Sequence, residues 1–246
     1  MKIQHHMEGY SYIAWRSRTQ IHEVDMADLH GTRANSEAAP NGGSIGVDPI
    51  QTLARARDVI RQEAKTLETV ASRLDGQICA LADYILSNGG LVVVSGVGKS
   101  GLVGKKISAT LVSTGTRSIT LDPLDALHGS LGRVGPGDVF LALSKSGETD
   151  ELKQVVLALK AQPVVIAVIT AQASSSLAQT AHHVLDIGPV NEIGILGLAP
   201  TASTTAMMAV GDSLALILQE CRGFTREDFA RIHPGGSLGR ELALRT

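Results

Sequence analysis

Two segments of this sequence combine hydroxyl groups with a predicted helix start, the chemistry that proteins use to bind phosphate. Residues 144–149 read Ser-Lys-Ser-Gly-Glu-Thr, and residues 200–205 read Pro-Thr-Ala-Ser-Thr-Thr. Hydroxyl and backbone N–H donors at a helix N-terminus favour a dianionic phosphate. Either cluster alone could be an ordinary helix N-cap, but two in one protein favour a phosphate site. The candidate ligands are Ser144, Ser146, Glu148, Thr149, Ser203 and Thr204.

A glycine-rich turn with one lysine follows another aliphatic run. It spans residues 95–101 and reads Ser-Gly-Val-Gly-Lys-Ser-Gly. Glycine lets the backbone approach a ligand closely, and Lys99 adds a positive charge between Gly98 and Ser100. A nucleotide P-loop is excluded, because Val93 stands where that motif requires its first glycine. The turn therefore either binds an anion or serves only for packing.

Two of the eight histidines are candidates for chemistry. His128 and His233 lie in irregular, glycine-rich stretches, so neither is easily explained as a core histidine. Three acids, Glu148, Asp150 and Glu151, lie at the start of the helix predicted at the first hydroxyl cluster. Acids in a first helical turn also have a structural explanation, since they interact favourably with the helix dipole.

Short aliphatic runs, separated by helical or loop segments, must position these groups. The runs are 91–95, 118–121, 139–143, 164–169 and 184–187. Uninterrupted apolar runs indicate strands that are buried on both faces, as in a parallel sheet covered by helices. We therefore predict an α/β fold with a doubly wound, five-stranded parallel sheet flanked by helices, of the flavodoxin type. Ligands bind such sheets beyond the carboxyl ends of the strands, where the candidate residues lie.

The remaining segments predict helices and one domain boundary. Apolar residues at three- and four-residue steps over 49–87 predict one or two long helices, which end at Asn88-Gly89-Gly90. Another long helix is predicted from about 204 to 221. Residues 1–46 lack steady periodicity and are predicted to be a disordered tail, whereas 47–246 are predicted to form one domain.

Composition argues against several classes of partner. A formal net charge of −2 gives no general attraction to nucleic acid or anionic membranes. No apolar run approaches the roughly 20 residues that span a bilayer, and the N-terminus lacks the apolar core of a signal peptide. Cys79 and Cys221 are expected to be reduced thiols. We therefore expect a cytoplasmic protein with no membrane and no nucleic-acid partner.

Together these motifs resemble a known family. The segments GVGKSG, STGT, ALHGSLG, SKSGETDE, NEIGILGLAPTAST and RGFTREDFARIHPGGSLGREL are similar to the sugar isomerase (SIS) domain of bacterial D-arabinose 5-phosphate isomerases. The resemblance covers roughly residues 50–246, and its most specific element is His-Pro-Gly-Gly-x-Leu-Gly-Arg near the C-terminus. It implies interconversion of D-ribulose 5-phosphate and D-arabinose 5-phosphate, feeding lipopolysaccharide or capsule synthesis.

The resemblance also implies site residues and an assembly. The catalytic positions of the family fall on Lys99, Glu151, Glu192 and His233. Its substrate-binding segments correspond to the turn at Gly115 and Thr116, to His128, to Gly98 and Ser100, and to the serine/threonine loops. The implied assembly is a homotetramer with active sites between subunits. The implied ligand is a phosphosugar, and no cofactor is expected.

The hypothesis for the reaction is proton transfer between adjacent sugar carbons through an enediolate. Glu151 is the leading candidate base and Glu192 the competing one. His233 would assist ring opening or move a proton between oxygens, and Lys99 would stabilise the developing oxyanion.

Some residues depart from the family pattern. Many relatives carry His where this chain has Asp122, and Asp where it has Ser130. The stretch 193–198 also differs from theirs. The first change weakens any inhibitory or structural metal site. No metal is predicted, because the isomerisation requires none. Many relatives continue into paired regulatory CBS modules, which are not predicted within these 246 residues. An isomerase of another phosphosugar, such as a hexulose 6-phosphate, stays an alternative, as does a non-catalytic sugar-phosphate sensor.

Overall fold

The computed structural model describes residues 48–235, and the statements below refer to that part of the chain. The predicted tail, residues 1–46, lies outside the described residues. So does the end of the His-Pro-Gly-Gly motif, residues 236–240.

Eight α-helices and one 3₁₀ turn lie within residues 48–235. The helices are α1 Pro49–Arg73, α2 Gly76–Asn88, α3 Gly98–Ser113, α4 Pro123–Leu127, α5 Asp150–Leu159, α6 Ser176–Thr180, α7 Ala202–Cys221 and α8 Arg226–Ile232, and the 3₁₀ turn is Ser130–Arg133. The apolar stretch after residue 49 forms two helices, because Asp75 accepts a hydrogen bond from the Gln77 N–H and starts a new one. Gly89, with a φ of 64°, ends α2 as predicted.

Five strands form one all-parallel sheet. They are β1 Val92–Gly96, β2 Ser118–Thr120, β3 Val139–Leu143, β4 Val165–Thr170 and β5 His183–Asp186. Their order across the sheet is β2-β1-β3-β4-β5, which is the flavodoxin-like order. Register is continuous through the centre, where Val92 of β1 pairs with Val139 of β3, and Val139 with Val165 of β4. The predicted fold class is confirmed.

The side chains of the sheet alternate between two cores, which explains why the strands read as continuous apolar runs. On one face Val94, Leu141 and Ile169 pack with buried residues of α2, α3 and α7. On the other face Phe140 and Val168 belong to a core with residues of α5 and α6. Both faces are therefore covered, as in a doubly wound sheet.

Helix α3 runs from the carboxyl ends of the strands back to their amino ends. It begins after the carboxyl end of β1 and ends just before the amino end of β2. Its 16 residues make it about 24 Å long. Residues at its two ends therefore lie at opposite ends of the strands.

Two smaller findings bear on the expectations from composition. Cys79 and Cys221 are both free thiols. None of the helices within residues 48–235 is long and apolar enough to cross a membrane.

Candidate active site

A cavity of about 530 Å³ lies at the carboxyl edge of the sheet, where β1, β3 and β4 end. We call it the central cavity. It is lined by Val97, Ser100, Leu143, Ser144, Lys145, Ser146, Thr149, Ala171, Gln172, Pro189, Val190 and Asn191. Four of the predicted substrate-binding residues, Ser100, Ser144, Ser146 and Thr149, thus share one cavity. This is the position at which open α/β sheets bind ligands.

The loop between β3 and α5 is held in shape by its own hydroxyl groups. The Ser144 and Thr149 hydroxyls lie 2.8 Å apart, and Ser144 Oγ also accepts the N–H of Gly147 at 3.0 Å. Ser146 Oγ accepts the N–H of Glu148 at 3.2 Å. The loop therefore presents its hydroxyl groups from a fixed backbone, as a binding site requires.

Gly147 is required by this loop. Its φ is 65°, and a Cβ atom at this position would meet Ser175 Oγ at 1.9 Å. We expect Gly147→Ala to lower the free energy of unfolding by about 2 kcal/mol or more, because it adds left-handed backbone strain to a steric clash. Urea unfolding measures the change. Gly132→Ala is the control, since no heavy atom lies within 4 Å of its added Cβ. Equal stability of the two variants would contradict the prediction.

The Glu192 side chain is buried, and its carboxylate accepts four hydrogen bonds. Its side chain is only 3% exposed, and Lys145 Nζ lies 2.6 Å from its Oε1. Ser203 Oγ donates to Oε1 at 2.5 Å. The backbone N–H groups of Thr201 and Ser203 donate to Oε2 at 3.0 and 3.3 Å. Glu192 thus joins the loop after β3 to the N-terminus of α7.

The environment of Glu192 keeps it ionised. Burial acts to raise the pKa of this carboxyl. The hydrogen bonds from Lys145, Ser203 and the Thr201 and Ser203 N–H groups outweigh burial and hold the pKa below its ordinary value. A general base needs a pKa near the working pH, so these contacts favour a positioning role for Glu192 over the role of base.

This lowered pKa predicts a dependence of stability on pH. The folded state binds the proton of Glu192 less readily than the unfolded state does. The stabilisation is therefore complete above the ordinary pKa of glutamic acid, about 4.3, and is lost as the pH falls through the lower folded value. We expect Glu192→Gln to flatten the fall in unfolding free energy between about pH 5 and 3. Urea unfolding across this range tests it, with Glu220→Gln at an exposed site of α7 as control. A wild-type slope in Glu192→Gln would contradict the prediction.

The hydroxyl groups at the start of α7 are directed to protein partners. Ser203 donates to Glu192, and Thr204 Oγ1 donates to the carbonyl oxygens of Pro200 and Thr201 at 3.0 and 2.9 Å. These two residues were predicted phosphate ligands, but neither lines the central cavity.

The two glutamates of the β3–α5 segment have different environments. Glu148 accepts hydrogen bonds from the N–H and hydroxyl of Ser176, at 2.7 and 2.8 Å, and these bonds lower its pKa. It therefore serves the start of α6. Glu151 lies half-buried in the first turn of α5, and its carboxylate makes no hydrogen bond or ion pair within residues 48–235. Its oxygens are free for a ligand.

A second, smaller cavity of about 300 Å³ lies beside β1 and β2 at the same edge. Gly98, Lys105, Asp122, Asp125 and Arg133 are among its lining residues. Asp122 accepts the N–H groups of Leu124 and Asp125, so its carboxylate caps α4.

Lys99 and His128 are exposed at this edge. Lys99 lies in the first turn of α3, and His128 follows the end of α4. Neither lines the central cavity. Within residues 48–235 no group of three His, Cys, Asp or Glu side chains is placed to hold a metal ion.

Gly115, Thr116 and His233 lie at the opposite, amino edge of the sheet. His233 Nε2 is 3.3 Å from Ser113 Oγ at the end of α3, and its ring stacks on Phe229 with centroids 3.9 Å apart. Gly115 and Thr116 line a cavity of about 340 Å³ there. The length of α3, about 24 Å, separates these residues from Lys99 in the same chain.

Lys145, Gln172 and Asn191 line the central cavity but were not among the predicted site residues. A usable signal was their position, because Lys145 and Gln172 come directly after the aliphatic runs of β3 and β4. Asn191 follows β5 by a few residues.

The chain is similar in sequence to several curated proteins that are named as arabinose 5-phosphate isomerases. The chain is 44% identical over 207 residues to "Arabinose 5-phosphate isomerase KpsF" of Escherichia coli O6:H1, covering 84% of this chain and 63% of that protein. It is 43% identical over 190 residues to "Arabinose 5-phosphate isomerase KdsD" of Pseudomonas aeruginosa, covering 77% of this chain and 58% of that protein. The chain thus spans about six-tenths of the length of these curated relatives.

The family of the chain is identified by a match to a family model and supported by a similar solved structure. The E. coli CFT073 protein c3406, in complex with arabinose 5-phosphate, has a TM-score of 0.74 and 36% identity, covering 76% of this chain and all of that one. The family model described as "SIS domain" matches residues 85–217, which is more than half of the chain. With the sheet order and the cavity at its carboxyl edge, this match shows that the chain belongs to the SIS domain family.

Proposed function

We propose that this protein is an aldose–ketose isomerase that interconverts D-ribulose 5-phosphate and D-arabinose 5-phosphate. The observation that carries the proposal is the central cavity, which Ser100, Ser144, Ser146 and Thr149 line together with one amine-bearing residue, Lys145. Hydroxyl and ammonium donors at the carboxyl edge of a parallel sheet suit a phosphate. The arabinose 5-phosphate isomerases among the relatives, and the similar structure that holds arabinose 5-phosphate, support this substrate class.

The proposed reaction moves hydrogen without net oxidation or reduction. A base removes a proton from C1 of the ketose, and the electron pair forms an enediolate whose negative charge lies on the C2 oxygen. The proton of the C1 hydroxyl moves to the C2 oxygen, which becomes a hydroxyl. The base then delivers the abstracted proton to C2, and the C1 oxygen, now without its proton, becomes the aldehyde carbonyl. This chemistry requires a base, a donor to the oxyanion and a grip on the phosphate.

Our assignment gives Glu151 the role of base, because its carboxylate is half-buried and has no protein partner within residues 48–235. Lys99, exposed in the first turn of α3, would stabilise the oxyanion. His233 would open the sugar ring or carry a proton between oxygens. Glu192 was the competing base, but its lowered pKa and four hydrogen bonds disfavour it.

The proposal includes active sites between subunits. In one chain His233 and Lys99 lie at opposite ends of α3, about 24 Å apart. Groups that act on a single pentose phosphate must lie within a few ångströms of it, so His233 would reach the site from a second copy. The same applies to Gly115 and Thr116. The tetrameric state, the cytoplasmic location and the pathway stay predictions of the family resemblance.

The experiment is an isomerase assay on the purified full chain. Ribulose 5-phosphate is added, and formation of the aldose is followed over time by chromatography or by NMR. We expect conversion to an equilibrium mixture of the two pentose phosphates. A panel of ketose phosphates of five and six carbons, run in parallel, compares kcat/KM between substrates. Faster turnover of a hexulose 6-phosphate would assign that substrate instead. Binding of phosphosugars with no turnover of any would overturn the proposal in favour of a sensor.

A further inference from the structure

Among the described residues, one charged side chain lines the central cavity. Of the twelve residues that line it, Lys145 is the only one with an ionisable side chain, and the others are apolar, hydroxyl-bearing or amide residues. Lys99, Glu151 and Glu192 do not line this cavity. Within residues 48–235, an anion in the cavity therefore meets a single full positive charge in its lining, that of Lys145.

The backbone of Lys145 is fixed by the neighbouring strand. Its carbonyl oxygen accepts the N–H of Ala171 at 3.0 Å and the hydroxyl of Thr170 at 3.2 Å. Both partners belong to the carboxyl end of β4 or follow it directly. The side chain of Lys145 therefore starts from a rigid point between the loops after β3 and β4.

The ammonium end of Lys145 is fixed by Glu192. The distance from Nζ to Oε1 is 2.6 Å, and the lysine side chain is 40% exposed whereas that of Glu192 is 3% exposed. The carboxylate is in turn held by the hydroxyl and N–H of Ser203 and by the N–H of Thr201. The rigid partner is thus buried, whereas the lysine keeps an exposed side.

We infer that Lys145 is the residue that binds the anionic phosphate of the substrate by charge, and that Glu192 is a positioning residue which holds the Lys145 ammonium beside the Ser144–Thr149 hydroxyls. This inference rests on the proposed function, because it concerns the same cavity. A lysine side chain loses conformational freedom when it is fixed. Glu192 accounts for much of that loss before any ligand binds, so the site is preorganised.

The first test measures phosphate binding without turnover. Inorganic phosphate is titrated into the full chain by calorimetry, for the wild type, Lys145→Met, Lys145→Arg and Lys160→Met. We expect Lys145→Met to raise the Kd for phosphate about 10-fold or more, the usual effect of losing one hydrogen bond to a charged group. Lys145→Arg should restore most of the affinity because it keeps the charge. Lys160→Met is the matched control, since this exposed lysine caps the end of α5 away from the cavity.

The second test separates positioning from catalysis. A positioning residue acts through its partner, so the phosphate Kd of Lys145→Met/Glu192→Gln should equal that of Lys145→Met within about twofold. In the isomerase assay Lys145→Met should raise KM more than it lowers kcat. If Glu192→Gln does not fold, Ser203→Ala replaces it in the same comparison, since it removes one donor to Oε1.

Each possible result either supports or overturns the inference. Unchanged phosphate affinity in Lys145→Met, or no phosphate binding by the wild type, overturns the role of Lys145. A loss of kcat of about 100-fold on adding Glu192→Gln to Lys145→Met shows that Glu192 acts on the substrate directly, and overturns its positioning role. Phosphate binding that depends on Lys145 in a protein without isomerase activity sustains the inference and overturns the proposed function. Activity with unchanged binding in Lys145→Met does the reverse.

Discussion

Replacing Glu151 by glutamine is expected to lower kcat by about 100-fold or more, the scale of a positioned acid–base group. Glutamine keeps the shape of the side chain but cannot accept the proton. The fold should be unaffected, because the Glu151 carboxylate has no hydrogen-bond partner within residues 48–235 that would be left unsatisfied. Steady-state kinetics with ribulose 5-phosphate give the loss, and thermal unfolding checks the fold.

Asp150→Asn is the matched control for Glu151→Gln. Both acids lie in the first turn of α5, so both substitutions remove one charge from the same helix end. The Asp150 side chain is 82% exposed and pairs with Lys153 at 2.9 Å. We expect its kcat to stay close to the wild-type value. Near-wild-type turnover of Glu151→Gln would remove Glu151 from the role of base, and an equal loss in both variants would point to the helix end instead.

Mixing two inactive variants is expected to restore activity. His233→Ala and Glu151→Gln should each lose about 100-fold in kcat if both groups serve the proton transfers. If each site takes Glu151 from one chain and His233 from another, random exchange of equal amounts gives both intact groups to about a quarter of the sites. The mixture should then reach about a quarter of the wild-type activity, measured after subunit exchange under mild denaturation and refolding.

The control for the mixing experiment is Glu151→Gln combined with the double variant Glu151→Gln/His233→Ala. No hybrid site in that mixture has Glu151, so its activity should stay at the level of the single variant. Exchange of subunits is verified by native mass spectrometry. A His233→Ala and Glu151→Gln mixture that exchanges fully yet stays inactive would show that the two residues serve one site from the same chain.

The sheet was predictable because strands that are buried on both faces consist almost entirely of apolar residues, which is visible in the local sequence. Every residue of Val92–Gly96 and of Val139–Leu143 is buried, so both strands appear as apolar runs with sharp ends. Helix α8, Arg226–Ile232, was not among the predicted helices. Its start is a capping box, in which Thr225 and Asp228 bond each other's backbone N–H groups. The Thr-x-x-Asp spacing was the available signal.

The candidate site was predictable only in part, because its decisive contacts join residues that are distant in sequence. The hydroxyls of Ser144, Ser146 and Thr149 were found from their local motif. The pairing of Lys145 with Glu192 spans 47 positions and has no local signature. It changes the interpretation of both side chains. Ser203 was predicted to bind phosphate because its contact with Glu192, eleven residues away, has no local signature either. In the structure its hydroxyl donates a hydrogen bond to Glu192.

The length of one helix has a consequence for how the protein would work at low abundance. His233 lies at the Ser113 end of α3, a full helix length from the groups at the carboxyl ends of the strands. Under the proposed mechanism, an isolated chain would therefore not bring these groups together on one substrate. Specific activity would then fall steeply on dilution below the dissociation constant of the assembly. The cellular concentration of the protein would then set both the number of chains and the fraction of chains that are assembled and active.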